Sequence, residues 1–275
     1  MDTWWWQSGA MDYVPHFRRE IAAFEDAVRR ASGADVAPPV PSCPDWSMSD
    51  LLVHLGYVHR YVIHIVEHRL AAPPEPTDHT FLNLPTDTHG WPVLEQAPNH
   101  GPVPTGLIDW FADGAATLES LFSSRDPDEP VWTWSREQTV GFWSRMQTIE
   151  AAVHRWDAEN AIGAAQPIDS DLAADAIEQN FTVMAPFRRA RTQAPPGLGE
   201  RLRFRQTDGT NVWTVHFDGD AVHLIPHTEP RHVELFGTAS DLMLFLWHRI
   251  ATDRLHGVVG PRAVLNRYFT LVPPM

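Results

Sequence analysis

The sequence predicts α plus α+β architecture: a four-helix bundle over residues 12–165, followed by a small α+β domain over residues 166–275. Three observations carry this expectation. Four segments of the first 165 residues repeat apolar side chains every three or four positions, the period of a helix with one buried face. From residue 201 polar and apolar residues alternate instead, around Asp208-Gly209 and Asp218-Gly219, two hairpin signals. A chain of 275 residues is also long enough to bury two cores.

The elements follow in order. Residues 1–11, "MDTWWWQSGAM", read as a flexible extension, with a hydrophobic arm docking on a partner as the other reading. "HFRREIAAFEDAVRRA" sets Phe17, Ile21, Phe24 and Val28 on one helix face. The next helix opens at Ser47-x-x-Asp50, which resembles a capping box with Asp in place of Glu. Its expected buried stripe is Leu51, Leu55, Val58, Val62 and Ile65. Residues 72–106, rich in Pro, Thr, His and Asn, form a loop long enough to suggest a lid or binding segment. Leu107, Phe111, Leu118 and Phe122 mark the third helix; the fourth begins after Gly141 and is closed by Gly163, a C-cap glycine. Beyond it, "DSDLAADAIEQNFTVMAPFRRAR" reads as a helix, "HVELFG" as a strand, and "SDLMLFLWHRIA" and "PRAVLNRYFTLV" as helices.

Composition narrows the partners. A formal charge of −14 without a basic cluster argues against a nucleic acid or an anionic membrane surface. No apolar run approaches the length of a membrane span, and no secretory leader is recognisable. The single cysteine, Cys43, reads as a packing residue in a chain suited to a reducing cytoplasm. Monomer and homodimer both stay open.

Fifteen histidines are the compositional hint of chemistry. In "IEAAVHRWDAENAIG", Glu150 and His154 stand one turn apart, and Asp157 continues the line beside the stripe of Ile149, Val153 and Trp156. A carboxylate at the border of a core needs a partner, and a metal ion is the strongest available. His54, between Leu51 and Val58, supplies a third ligand from another helix. His54, Glu150 and His154 together form a His₂Glu set that suits zinc with one open position. The same spacing also serves a simple surface pair, and His54 alone also suits a satisfied core histidine. His64 and His68 read as a solvated helix end, and His59 lies too far round its helix to share an ion with His54. His223, His227 and His232 read as surface or hairpin residues. Phosphate-loop, dinucleotide-binding, nucleophile-elbow and C-x-x-C patterns are absent from the sequence.

Three stretches, "VPSCPDWSMSDLLVHLGYVHRY" (40–61), "VWTWSREQTVGFWSRMQTIEAAVHRWDAENAIG" (131–163) and "FGTASDLMLFLWHRI" (236–250), resemble the mycothiol-dependent maleylpyruvate isomerase family. The likeness spans nearly the whole chain beyond residue 12. It implies a DinB-like metal-binding bundle followed by a sterol-carrier-protein-like domain, with His54, Glu150 and His154 as ligands of Zn2+ or another divalent metal. It further implies that Asp157 is a second-sphere or thiol-positioning residue, that mycothiol is the thiol co-substrate, and that one of Arg249, Arg254 and Arg262 binds substrate. Two departures matter: Thr148 and Ile149 stand where the family often has Ala-His, and the N-terminal extension and the 72–106 loop suggest a specialised pocket.

The expected function is thus that of a metal-dependent enzyme adding a low-molecular-weight thiol to an electrophilic small molecule. In a mycothiol S-transferase the adduct is the product. In maleylpyruvate isomerase proper, addition frees a double bond to rotate and elimination completes cis-trans isomerisation. A non-catalytic, metal-stabilised ligand-binding protein is the reading from a different class.

Overall fold

The computed structural model describes residues 11–274, so the Trp-rich segment 1–10 of the expected extension lies outside the described residues. The chain forms two compact units that divide between Ala164 and Ala165.

The first unit is built on α1 (Tyr13–Ala31), α2 (Met48–His68), α3 (Thr105–Ser124) and α4 (Val140–Ala161). Side-chain oxygens start three of them: Asp12 accepts from the Val14 amide, Ser47 from Asp50, and Thr139 from Phe142. Gly163, just past α4, takes the left-handed conformation (φ +69°) that glycine adopts without steric cost. α1 packs on α4 and α2 on α3, enclosing Phe17, Phe24, Leu51, Leu55, Phe111 and Leu118. Gly56 is required at one crossing, because a Cβ there would stand 2.1 Å from the Trp110 ring.

The expected stripe of α2 is buried at Leu51, Leu55, Val62 and Ile65, and the buried face is wider than that stripe. Leu52, His59 and Val66 are buried with Leu55 and Val62, while His54 and Val58 lie half-buried at its edge. The helix must face α1, α3 and α4, so its apolar arc is wider than a single stripe. His59 occupies a core position against Phe17 (5.5 Å between ring centroids) and Phe111 (5.4 Å), and neither ring nitrogen has a hydrogen-bond partner. Burial, with the nearby Arg60 charge, pushes its pKa down to about 3.

A buried ion cluster joins α1 to α4. Arg155 Nε donates to Glu20 at 2.8 Å and Nη1 donates to Glu159 at 2.8 Å, with all three side chains withdrawn from solvent. The 72–106 loop contains two short 3₁₀ turns and returns to the bundle at Asn99. There the Asn99 amide donates to Asp50 Oδ2 (2.9 Å) and its side chain to Oδ1 (2.6 Å). Burial opposes ionisation of Asp50, but the hydrogen bonds from Ser47 and Asn99 hold it below the usual carboxylate range.

The second unit opens with α5 (Ser170–Gln179), which passes through a π turn (Asn180–Met184) into α6 (Ala185–Thr192). β1 (Gly197–Gln206), β2 (Val212–Gly219), β3 (Ala221–Ile225), β4 (Val233–Gly237) and β5 (Gly257–Val259) form one mixed sheet, ordered β3-β2-β1-β4-β5. The two expected hairpins are β1–β2 and β2–β3, and β4 pairs parallel to β1, with Phe204 opposite Leu235. α7 (Ala239–Leu246) and α8 (Arg262–Leu271) complete the unit, whose core holds Phe204, Phe217, Phe245 and Tyr268. Among the described residues no helix is long and apolar enough to cross a membrane.

Two outcomes follow for stability. Arg155→Met removes the cation shared by the buried Glu20 and Glu159 carboxylates, and denaturant unfolding should show a loss of about 3–5 kcal/mol. His59 binds its proton near pH 6.5 when unfolded but only near pH 3 when folded, so its contribution is full above pH 6.5 and is lost as pH falls toward 3. In metal-free buffer between pH 6 and pH 4, wild type should therefore lose roughly 1.4 kcal/mol more per pH unit than His59→Leu.

Candidate metal centre

The site forms where the turn before α2, the first half of α2 and the second half of α4 meet. The 40–46 turn is closed by backbone bonds from the Cys43 amide to Val40 (2.9 Å) and from the Trp46 amide to Cys43 (2.8 Å). It delivers two side chains to α4. Ser42 Oγ donates to Asp157 Oδ1 at 2.5 Å, and the Trp46 ring lies 4.8 Å from His54 and 6.4 Å from His154.

His54 and His154, from different helices, approach edge to face with centroids 5.1 Å apart. Nδ1 of His154 pairs with Asp157 Oδ2 at 2.9 Å. A carboxylate can only accept here, so the proton sits on Nδ1 and Nε2 presents its lone pair. Asp157, fully buried, thus fixes both the tautomer and the ring plane of His154, the arrangement that orients metal-ligating histidines. Glu150 stands half-buried one turn earlier, where it accepts from Gln147 Nε2 at 3.1 Å.

The donor chemistry of this cluster fits a divalent cation: two imidazoles side by side, one backed by a carboxylate, with a second carboxylate one turn away. The geometry is less complete. Among the described residues no three His, Cys, Asp or Glu side chains stand close enough together to hold an ion. The structure brings His54 and His154 together and places Asp157 behind them; it does not close the expected trio around a point.

The remaining candidates distribute as follows. The His64 and His68 rings lie 4.5 Å apart and tilted to one another near the end of α2, His64 half-buried and His68 exposed. In the second unit Arg249 is half-buried and donates to the Trp247 carbonyl at 2.9 Å. Arg254 and Arg262 are exposed, Arg262 lining a cavity of about 230 Å³ with Thr252 and Asp253. Ser42 and Trp46 were not singled out from the sequence, although both lie in the quoted 40–61 stretch; Trp46 occupies a fixed position in its pattern.

A second feature lies between α2 and the loop that follows it. Tyr57 and Tyr61 meet Phe81 edge to face at 5.7 and 5.8 Å, and with Pro74, Glu75 and Asp78 they line a cavity of about 340 Å³. Its charged lining residues are acidic, and Thr80 hydrogen bonds keep the Asp78 carboxyl below its usual range.

Bundle, anchored imidazole pair and appended α+β unit define a two-unit helix-bundle protein with a histidine-centred polar site. The chain belongs to the family described as mycothiol maleylpyruvate isomerase N-terminal domain, whose model matches residues 17–159. Its fold is similar to the crystal structure of the mycothiol-dependent maleylpyruvate isomerase (13% identity, TM-score 0.54) and to that of a histidine-to-alanine mutant of that enzyme (14% identity, TM-score 0.58). Each comparison covers 88% of this chain and 90% of the other. At this identity the likeness shows the fold. No curated protein matches the chain.

Proposed function

We propose that this protein is a metal-dependent, cytoplasmic enzyme that adds mycothiol to an electrophilic small molecule, acting as a mycothiol S-transferase. The observation that carries this reading is the pair of imidazoles from α2 and α4, one of them fixed by a buried carboxylate. His54, His154 and Glu150 would hold the divalent cation, zinc being suited to two nitrogens and one carboxylate. The chemistry such a cation supplies when bound is acidification of a thiol near neutral pH, which yields a strong nucleophile. Asp157 keeps the proton on the far nitrogen of His154, and Trp46 shields the imidazole pair from water. The aromatic cavity along α2 would receive the electrophile. Its two acidic side chains and lack of Arg or Lys disfavour a dicarboxylate and suit a neutral substrate, which favours transfer over isomerisation.

Isomerisation of maleylpyruvate is the second reading, supported by the family description and by the names of the two solved structures. The two differ in product. With mycothiol and a neutral electrophile, transfer leaves a stable adduct heavier by the thiol; with maleylpyruvate, isomerisation returns the trans acid and free thiol.

His54→Ala, Glu150→Ala and His154→Ala should each lose bound metal and thiol-dependent activity together, by metal analysis and turnover assay. His64→Ala and His68→Ala should retain both. Asp157→Ala should weaken metal affinity by about 10–100-fold in a chelator competition. Cobalt-loaded protein should develop a thiolate-to-metal absorption band on adding thiol. No band would turn the assignment toward a ligand-binding protein, and full metal content in all three ligand variants would overturn it.

A further inference from the structure

Two consecutive arginines of α6 are buried and treated differently. Arg189 is satisfied by main-chain carbonyls: Nη1 donates to Leu271 (2.9 Å), and Nη2 donates to Gly219 (2.8 Å) and Pro195 (3.2 Å). Arg188, only 4% exposed, has one long bond, from Nη1 to the Leu246 carbonyl at 3.4 Å. Its Nε has no partner, and no described carboxylate faces its charge. The guanidinium lies over the Trp247 ring, 5.0 Å from its centroid. Burial pushes its pKa down, and the neighbouring Arg249 charge pushes the same way.

The groups around Arg188 share its condition. Trp247 Nε1, the Tyr268 hydroxyl and the Asn180 side-chain amide are all buried without a hydrogen-bond partner. Tyr268 and Asn180 lie against one another short of hydrogen-bond geometry, and burial holds the Tyr268 proton firmly in place. His248, beside Arg188, is neutral because burial and that charge lower its pKa to about 4. The backbone is distorted at the same place. Asn180 opens the π turn, and His248 sits in the left-handed region with φ 62°.

A buried cation without a counter-charge is costly, and so is each buried donor without an acceptor. Guanidinium, indole N–H, phenol O–H and carboxamide NH₂ together offer donors and one positive charge. Their complement is a small anion with several lone pairs, and a planar one matches both the guanidinium fork and the stacked indole. We propose that Arg188, with Trp247, Tyr268 and Asn180, forms a buried binding site in the C-terminal unit for a small carboxylate. The surrounding side chains are almost fully enclosed, so the ligands proposed are the smallest carboxylates, formate and acetate. The site uses none of the metal-centre residues and stands independently of the proposed enzymatic function.

The test uses the full chain in anion-exchanged buffer at constant ionic strength, titrated with formate, acetate, phosphate or chloride. Calorimetry and thermal unfolding should show saturable binding of formate or acetate. Arg188→Met should weaken it at least tenfold, and Tyr268→Phe, which keeps the packing, should weaken it several-fold. Should Arg188→Met fail to fold, Arg188→Lys takes its place and should lose affinity through loss of the fork geometry. The proposal is overturned if wild type shows no saturable carboxylate binding, if chloride matches acetate throughout, or if the folded Arg188 and Tyr268 variants bind as well as wild type.

Discussion

A carboxylate enclosed in a helix bundle has to be satisfied by protein, and the way Asp157 is satisfied organises the whole site. Left unpaired it would cost several kcal/mol, more than any neighbouring packing preference. Its two oxygens are taken by Ser42 and by His154. That demand pins the 40–46 turn against α4, so Trp46 comes to rest on His54 and the two imidazoles are left adjacent. The pairing of the two imidazoles is therefore enforced by desolvation of a residue whose oxygens are both engaged.

The next residues of the same helix divide the labour. His154 faces α2, while Arg155 points to α1 and holds Glu20 and Glu159. Both directions are buried, and 16 of the 22 residues of α4 belong to the interior. Such a helix cannot be read as an amphipathic surface element. Its polar residues are arranged as internal contacts, one set bracing the bundle and one set directing an imidazole. The pattern E-x-x-x-H-R-x-D-A-E mixes the two roles at adjacent positions.

Local signals in the sequence were legible where a single segment carries them. The Ser47/Asp50 box, the Gly163 cap, the stripes of α1 and α3 and the two hairpins depend on neighbours within a few residues. What escaped depends on partners far along the chain. Glu20 meets Arg155 across 135 positions, and Ser42 meets Asp157 across 115. The width of the buried arc of α2 escaped for the same reason: three neighbouring helices cover it beyond the expected stripe, and His59 takes a core place that spacing alone does not assign. The short strand β5 carries too few residues to show an alternation, and the π turn leaves no mark in a helical pattern. For the site, the sequence marks His54 and His154 as candidates and the structure sets their imidazoles side by side, whereas among the described residues no three-ligand cluster forms.

Asp50 Oδ2 accepts both from Ser47 at the start of α2 and from the Asn99 amide at the return of the long loop, while Oδ1 accepts from the Asn99 side chain. Helix initiation and loop anchorage consequently share one carboxylate. Whatever draws the loop away from the bundle removes two donors that hold that carboxylate in place and loosens the first turn, and His54 stands only one turn further along. Rearrangement of a remote, proline-rich excursion would be registered as reduced amide protection at residues 48–51, just ahead of the His54 imidazole.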